Sequence, residues 1–515
     1  MPAMSLLSVL DRRRTIAAPG FNRWLVPPAA LAIHLAIGQV YAFSVFKLPL
    51  TRVIGVDAPA PGDWSQPTLA WIFSIAIVVL GLSAALFGTW LERVGPRRAM
   101  LAAAACFGGG FLVAAAGVSL HQIWLVYLGY GVLGGIGLGL GYISPVSTLI
   151  KWFPDRPGMA TGLAIMGFGG GAMIGSPLAN ALMEYYKSPT SVGVAETFLT
   201  MGGIYFVFML YGAVNVRLPA PGWKPAGYVP STHTTRLVTS AHVLADQAIK
   251  TPQFYLLWAV LFLNVTAGIG ILEQASPMIQ DLFPGAVTAA AAAGFVGLLS
   301  LFNMGGRFLW SSCSDYLGRK PTYAIYFLLG GSLYALLPTA GGSGHPVAFI
   351  AACAVIMSMY GGGFATIPAY LRDLFGTAQV GAIHGRLLTA WSCAGVAGPV
   401  LVNELREYQV HNGAPTADVY NLTLYIMAGL LGLGAICNFL VRAVHERFHA
   451  TSEQIKEANT ESGVQAADKS AGSVEVAIAP ASGAAVRLVV GWLWVGVPLA
   501  WGVSQTLAKA AALFR

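Results

Sequence analysis

Long apolar blocks alternate with short polar breaks along most of the chain. Each block is long enough to cross a bilayer as a helix, which takes about 20 residues. The pattern predicts spans over 24–50, 68–91, 99–118, 122–150, 158–184 and 198–217. A second set follows over 252–279, 287–311, 321–340, 346–371, 381–403 and 419–443. Between the sets, residues 218–251 are polar, contain proline and predict a linker. Residues 444–487 lose the apolar pattern and become rich in Ala, Ser, Glu and Lys. Such a composition cannot bury enough apolar surface to fold alone, which predicts a disordered tail. A last apolar block, 488–507, carries Trp492, Trp494, Pro498 and Trp501 and predicts a thirteenth span. Lys509 and Arg515 beyond it suggest an interfacial helix as the alternative.

The two sets of spans read as copies of one unit. Glu92 and Asp315, Pro145 and Pro368, and Gly162 and Gly385 each lie 223 residues apart. Phe153 and Phe375, like Pro177 and Pro399, lie 222 apart. The local settings repeat as well: Gly175-Ser176-Pro177 before Asn180 answers Gly398-Pro399 before Asn403. A long internal period in an apolar chain implies duplicated membrane halves, the architecture of many secondary transporters. The expected fold is therefore an all-α membrane protein, with two six-helix halves, pseudo-two-fold symmetry and an extra C-terminal helix.

Composition agrees. Of 515 residues 56% are hydrophobic and 10% charged, with mean hydropathy +0.67, against about 25% charged in a soluble domain. The 62 glycines inside apolar blocks point to helices packed closely through small residues. Cys106, Cys313, Cys353, Cys393 and Cys437 are scattered without metal-ligand spacing and read as packing residues.

The net charge of +8 follows from loop bias. One set of short connections holds Arg93, Arg97, Arg98, Lys151, Arg156, Arg319, Lys320 and Arg372; the other holds Arg52, Lys187 and Arg406, with Lys47 at a helix end. The positive-inside rule then places residues 1–23 in the cytoplasm. Asp11-Arg12-Arg13-Arg14 leads into a full span rather than a short apolar region, so no cleavable signal peptide is expected. The glycine clusters Gly167 to Gly175 and Gly395/Gly398 lack the Gly-Lys-Ser/Thr ending of a phosphate loop and sit inside spans. They predict helix packing and hinges, and transport without ATP. No catalytic centre, metal, cofactor or nucleic-acid partner is expected.

The best-defined motif is a pair of connections on the basic side. Gly88-Thr89-Trp90-Leu91-Glu92-Arg93-Val94-Gly95-Pro96-Arg97-Arg98 closes the second span, and Asp315-Tyr316-Leu317-Gly318-Arg319-Lys320 closes the eighth. An acid at a helix end, a glycine for the turn and cations able to bridge neighbouring helices suit contacts that lock one conformation and break as the halves rock. Gly88, Glu92, Arg93, Gly95, Arg97, Asp315, Gly318 and Arg319 are the candidate gating residues. This pair resembles the signature loop of the major facilitator superfamily. Ile37-Gly38-Gln39-Val40-Tyr41 through Phe46 is similar to the opening helix of one of its branches, the oxalate/formate antiporter family. So are Gly141-Tyr142-Ile143-Ser144-Pro145, Lys151-Trp152-Phe153-Pro154-Asp155 and Gly167-Phe168-Gly169-Gly170-Gly171. The resemblance covers 24–443.

In that family a dianion is held between an Arg of the eighth span and a Lys of the eleventh, which implies a role for Arg307. Arg307 lies eight residues before Asp315, about 12 Å along a helix and near the midplane of an approximately 30 Å core. A charge at that depth normally faces a cavity with a partner or a ligand, and Arg matches a carboxylate through two bonds. Glu273, the nearest acid by sequence, falls on a different level. Where the family has its Lys, this chain has Trp391, level with Arg307. One cation and one indole suit a monocarboxylate better than a dianion. Arg386 is closer to the basic side and is expected to reach the interface there.

Gln39 and Tyr41 are cavity donors by resemblance. His34 shares a face with Tyr41 and is a candidate proton carrier, although a lone His on an apolar helix is more often simply hydrogen-bonded in place. The expected function is alternating-access transport of small organic anions, as an exchanger or with a proton. The expected setting is a bacterial inner membrane, with the bilayer and the anion as partners and the chain as a monomer. Two rivals remain. Gly171 to Pro177 loosely resembles a drug-antiporter motif, which suggests an exporter of drugs or neutral solutes. The long tail leaves room for a non-transporting sensor.

Overall fold

The computed structural model describes residues 12–228, 237–285, 287–342, 346–415, 418–461 and 484–511. Thirteen helices in it are long and apolar enough to cross a membrane. The first six are α1 (Arg23–Ala42), α2 (Gln66–Val94), α3 (Pro96–Ser119), α4 (Ile123–Trp152), α5 (Pro157–Tyr186) and α6 (Val194–Asn215). The second six are α7 (Pro252–Leu282), α8 (Ala289–Leu317), α9 (Arg319–Gly342), α10 (Pro346–Phe375), α11 (Val380–His411) and α12 (Asn421–Leu440). The last is α13 (Ala484–Ala510). Among the described residues there is no strand, only isolated bridges at Ile16–Leu218 and Ser188–Ser191.

Several helix starts are written in the sequence. Ser65, Thr251 and Thr288 accept main-chain N–H bonds from Thr68, Phe254 and Ala291, capping α2, α7 and α8. Gly95 and Gly318, 223 apart in sequence, end α2 and α8 with φ of 86° and 87°. With ψ of 165° and 155°, this is backbone that essentially only glycine adopts.

Three spans depart from a continuous α-helix. α1 tightens to a 3-10 turn over Gly38–Ala42, where Gly38 lies so close to the main chain of Phe168 that a Cβ would collide with its carbonyl. α4 opens to a π turn over Tyr127–Leu133, with Gly129 against Gly110 and Ala114. α11 is interrupted at Leu388 between Val380–Leu387 and Thr389–His411.

The halves meet along two glycine seams related by the internal repeat. Gly162 of α5 abuts the Arg307 carbonyl of α8, and Gly385 of α11 abuts the Ala84 carbonyl of α2. Both glycines and both carbonyl residues are 223 apart, so the two seams are one contact made twice. Gly81 against Leu388 and Gly88 against Ala382 extend the second seam.

α13 lies across the first seam. Trp494 stacks on Phe208 and tilts on Tyr211 of α6. Leu499 reaches Gly170 and Gly502 meets Met173 and Ile174 of α5, while Thr506 and Lys509 meet Gly297 and Gly294 of α8. Its other face exposes Val486, Val489, Val490, Leu493 and Val497, a surface suited to acyl chains.

The stretch expected to be a disordered tail differs in its first part. Ser452–Glu461 is helical, because Thr451 and Gln454 form a reciprocal capping box. Ala450 N–H also donates to the His242 carbonyl of the linker. Residues 462–483 of that stretch, like 229–236 of the linker, lie outside the described residues.

Candidate functional site

Six rings, three from each half, close around Arg307 at the centre of the bundle. Tyr41, Tyr142 and Phe168 come from α1, α4 and α5; Tyr360, Phe364 and Trp391 come from α10 and α11. The Trp391 ring centroid lies 6.4 Å from Tyr41, 5.4 Å from Tyr142, 5.2 Å from Phe168 and 4.7 Å from Phe364. The guanidinium carbon of Arg307 lies 5.6 Å from the Phe168 centroid and 5.2 Å from that of Phe364, within the range of cation–π attraction. All but Tyr41, which is half-buried, are buried.

Arg307 is fully buried. Its Nε donates to Asn303 Oδ1 at 3.0 Å, one turn back on α8, and its Nη1 donates across the seam to the Ile165 carbonyl at 3.3 Å. Its Nη2 has no partner. Among the described residues no acid pairs with it; the side chain of Glu273 lies outside that set. The hydroxyls of Tyr41, Tyr142 and Tyr360 and the Nε1 of Trp391 are likewise buried without a hydrogen bond of normal geometry. Tyr41 faces Arg307, Tyr360 and Trp391 at once. Buried polar groups in folded proteins are nearly always paired, so a cluster of unpaired donors is the signature of a missing acceptor.

Of the residues picked out from the sequence, the structure brings Arg307, Trp391 and Tyr41 together, sets His34 against the outside of the cage and turns Gln39 away. Gln39 turns into the first half, where its Oε1 accepts from the Tyr130 hydroxyl at 3.2 Å. His34 shares the Tyr41 face, since both rings meet Phe168. It stacks on Tyr142 and bonds that residue's carbonyl through Nε2 at 3.2 Å. Arg386 pairs with Asp246 of the linker. Sequence reasoning missed Phe168, Tyr142 and Phe364, yet the signal was present. Phe168 lies 223 residues before Trp391, and Tyr142 lies 222 before Phe364, so four of the six cage rings are symmetry mates. Arg307 falls 223 after Ala84, so the cation, like Tyr41 and Tyr360, has no like residue at the matching position of the other half.

At the basic end the two halves are latched by paired carboxylates. Asp315, closing α8, accepts the N–H of Gly158 and of Met159 at the start of α5, both at 2.8 Å. Glu92, closing α2, accepts the N–H of Gly381 at the start of α11 at 3.3 Å. Gly158 and Gly381 are again 223 apart. A carboxylate at a helix N-terminus is favoured by the orphan N–H groups and the dipole. The two latches are unequal. Glu92 is also held inside its own half by Lys151 at 2.7 Å and Ser147 at 3.0 Å. Asp315 bonds Arg319 at 2.6 Å, and Arg319 bonds Asp373 at 3.1 Å.

Arg372 extends the second cluster by donating to the Pro154 carbonyl of the first half at 3.3 Å. Gly88 packs against Ala382 across the seam. Arg97 stays within its half, on the Val214 and Val216 carbonyls, and Arg93 is exposed at the end of α2. Nearby, Arg23 grips Asp155 through both oxygens, at 2.7 and 3.0 Å. Partial burial opposes ionisation of Asp155, but the bonds from Arg23 outweigh it and hold the carboxyl below its usual range.

The family profile described as "Major Facilitator Superfamily" matches residues 20–399. The chain belongs to the Major Facilitator Superfamily. Members of this superfamily are membrane transporters, not enzymes. This member is 26% identical over 378 residues to the oxalate:formate antiporter of Oxalobacter formigenes, covering 73% of this chain and 83% of that one. It is 26% identical over 379 residues to apicoplast pyruvate carrier 1 of Toxoplasma gondii, covering 64% of this chain and 68% of the carrier. Its fold matches the E. coli fucose:proton symporter FucP, solved in the outward conformation, at 15% identity with a TM-score of 0.58. That match covers 81% of this chain and 99% of FucP.

Proposed function

We propose that this superfamily member carries small organic anions, monocarboxylates by preference, across a bacterial inner membrane by alternating access, with its N-terminus in the cytoplasm. The observation that carries the reading is the buried, unpaired Nη2 of Arg307, facing the unpaired hydroxyls of Tyr41 and Tyr360 and the indole N–H of Trp391. Arg307 Nη2 and Trp391 Nε1 can only donate, while the two hydroxyls can donate or accept, so the acceptor oxygens of a ligand would satisfy all four. A carboxylate supplies the acceptor oxygens and the opposite charge, while the aromatic faces take its apolar body. A single cation balances a single negative charge; Trp391, in place of a second cation, gives the monocarboxylate preference. The named substrates of the relatives, oxalate, formate and pyruvate, are small carboxylates.

The Glu92 and Asp315 latches hold the basic end shut, and their release is the step that opens the site there. Arg307→Lys keeps the charge but loses the fork that meets a carboxylate through two bonds, so affinity falls markedly. Arg307→Gln offers no charge against desolvation of the carboxylate and nearly abolishes transport. The test is counterflow of a panel of mono- and dicarboxylates in proteoliposomes. Wild-type rates in Arg307→Gln would remove Arg307 from the site, and failure of every carboxylate with the wild type would end the anion reading. Drug or neutral-solute uptake in its place would favour the exporter.

A further inference from the structure

Below the cage sits a second histidine that the anion site does not use. His384 of α11 is 1% exposed, and neither ring nitrogen has a hydrogen-bond partner. A neutral imidazole carries one N–H donor and one lone pair, and burying both unpaired is a cost that packing alone does not require. His34 shows the structural alternative a short distance away, with its Nε2 bonded to a main-chain carbonyl. The position is also particular. His384 is seven residues before Trp391, about two helical turns or about 10 Å. It is three residues after Gly381, whose N–H closes the Glu92 latch. The interruption of α11 at Leu388 falls between His384 and the cage. The ring lies 5.7 Å from that of Tyr142, which in turn touches Trp391. His384 thus stands between the anion cage and the latch, in contact with a wall of the cage.

Resting on the anion-carrier reading, we propose that His384 binds the proton that travels with the anion, taking it up from the cage and releasing it at the basic end when the Glu92–Gly381 latch opens. The ionisable groups recorded against it are Tyr142 from α4 and His34 from α1. α2 faces its segment with Ala84 and Gly88. On its own helix Arg386 pairs away with Asp246. The acids of the basic end are taken up elsewhere, Glu92 by Lys151 and Asp373 by Arg319 and Arg372. From α7, Trp258 bonds Thr389, and from α8 comes Arg307, deeper in the cage. Among the described residues no carboxylate stabilises a charged His384. An anion held in the cage, about two helical turns away, supplies the counter-charge that a protonated His384 otherwise lacks. Anion and proton therefore promote each other's binding, and the linkage is reciprocal.

The test uses full-length protein in proteoliposomes, with pyruvate as probe and protein-free liposomes subtracted. Two assays are run: counterflow at equal pH, which needs no net proton movement, and uptake driven by an inward proton gradient. One proton per anion limits accumulation to about tenfold per pH unit. The expected result is gradient-driven accumulation in the wild type and in His34→Gln, and its loss in His384→Gln with counterflow within about twofold of wild type. Because the variant could misfold, a pH indicator is also used on detergent-solubilised wild type, where pyruvate binding should take up close to one proton per chain. Retained gradient drive in His384→Gln, or no proton uptake by the wild type between pH 5.5 and 7.5, overturns the proposal and leaves the anion carrier standing. Absence of counterflow with every carboxylate tested removes the carrier reading, and this inference with it.

Discussion

Replacing Asp315 with Asn should loosen the basic end far more than replacing Glu92 with Gln. Asp315 accepts two main-chain N–H bonds from the other half, both at 2.8 Å, in a setting only 7% exposed. An Asn side chain can accept one of them through its carbonyl, but its amide is a donor and cannot receive the other. It also leaves Arg319 with one fewer acid. A hydrogen bond to a charged group contributes about 1.5–3 kcal/mol, so the closed basic end loses about 2–3 kcal/mol. At 1.4 kcal/mol per tenfold, the balance of states moves about 30- to 140-fold. Glu92 offers the other half one longer bond, to Gly381 at 3.3 Å, so Glu92→Gln should remove about 1 kcal/mol, roughly a fivefold shift. The assay is a spin-label distance distribution between Arg156→Cys and Tyr316→Cys, exposed positions on opposite halves of the basic end, in a background with the native cysteines replaced. The long-distance population should grow strongly in Asp315→Asn and slightly in Glu92→Gln. An equal or reversed order, or no change in either, would refute the reasoning.

Trp391→Lys adds a second cation level with Arg307 and should move preference from mono- toward dicarboxylates in a competition assay; an unchanged ratio would detach Trp391 from selectivity. In a cysteine-free background, Ser188→Cys should react with an impermeant thiol reagent from outside while Ser240→Cys should not, and a reporter after Arg515 should share the side of Ser188. The reverse labelling inverts the topology. Arg23→Gln should lower the melting temperature modestly, by less than about 1 kcal/mol of stability because the pair is partly exposed. The Asp155 carboxyl is held below its usual range, so its contribution is present above the unfolded value near about 4 and is lost as pH falls through the folded one. The difference between wild type and Arg23→Gln should therefore be flat from about pH 8 to 5 and shrink in stronger acid; a difference that grows on acidification contradicts the assignment.

The spans and both gating loops were legible because a bilayer imposes its thickness on each apolar run and glycine is needed where φ is positive, at Gly95 and Gly318. Arg307 and Trp391 were legible because a charge and its substitute at one depth are visible in one dimension. Gln39 was a candidate by resemblance alone, and its side chain bonds Tyr130 inside the first half, a partner on another helix that the sequence does not reveal. Tyr360, Asn303 and His384 carried no signal, because what marks them is the lack or presence of a partner on another helix. The tail helix at Ser452–Glu461 is a local matter that composition hides and the Thr451–Gln454 capping box reveals.

The lean of α13 across the first seam has a mechanical consequence. A stiff rod cannot stay fixed to two bodies that rock against each other. Its grip on the first half is made by the rings of Trp494, Phe208 and Tyr211, which interlock. Its approach to the second half includes Gly294 and Gly297, which present no side chain of their own to catch it. The expected behaviour is that of a journal on a bearing: α13 rides with the first half and glides over α8 at each stroke. A covalent bridge between positions 294 and 509 should then stall turnover, and one between 208 and 494 should leave it running.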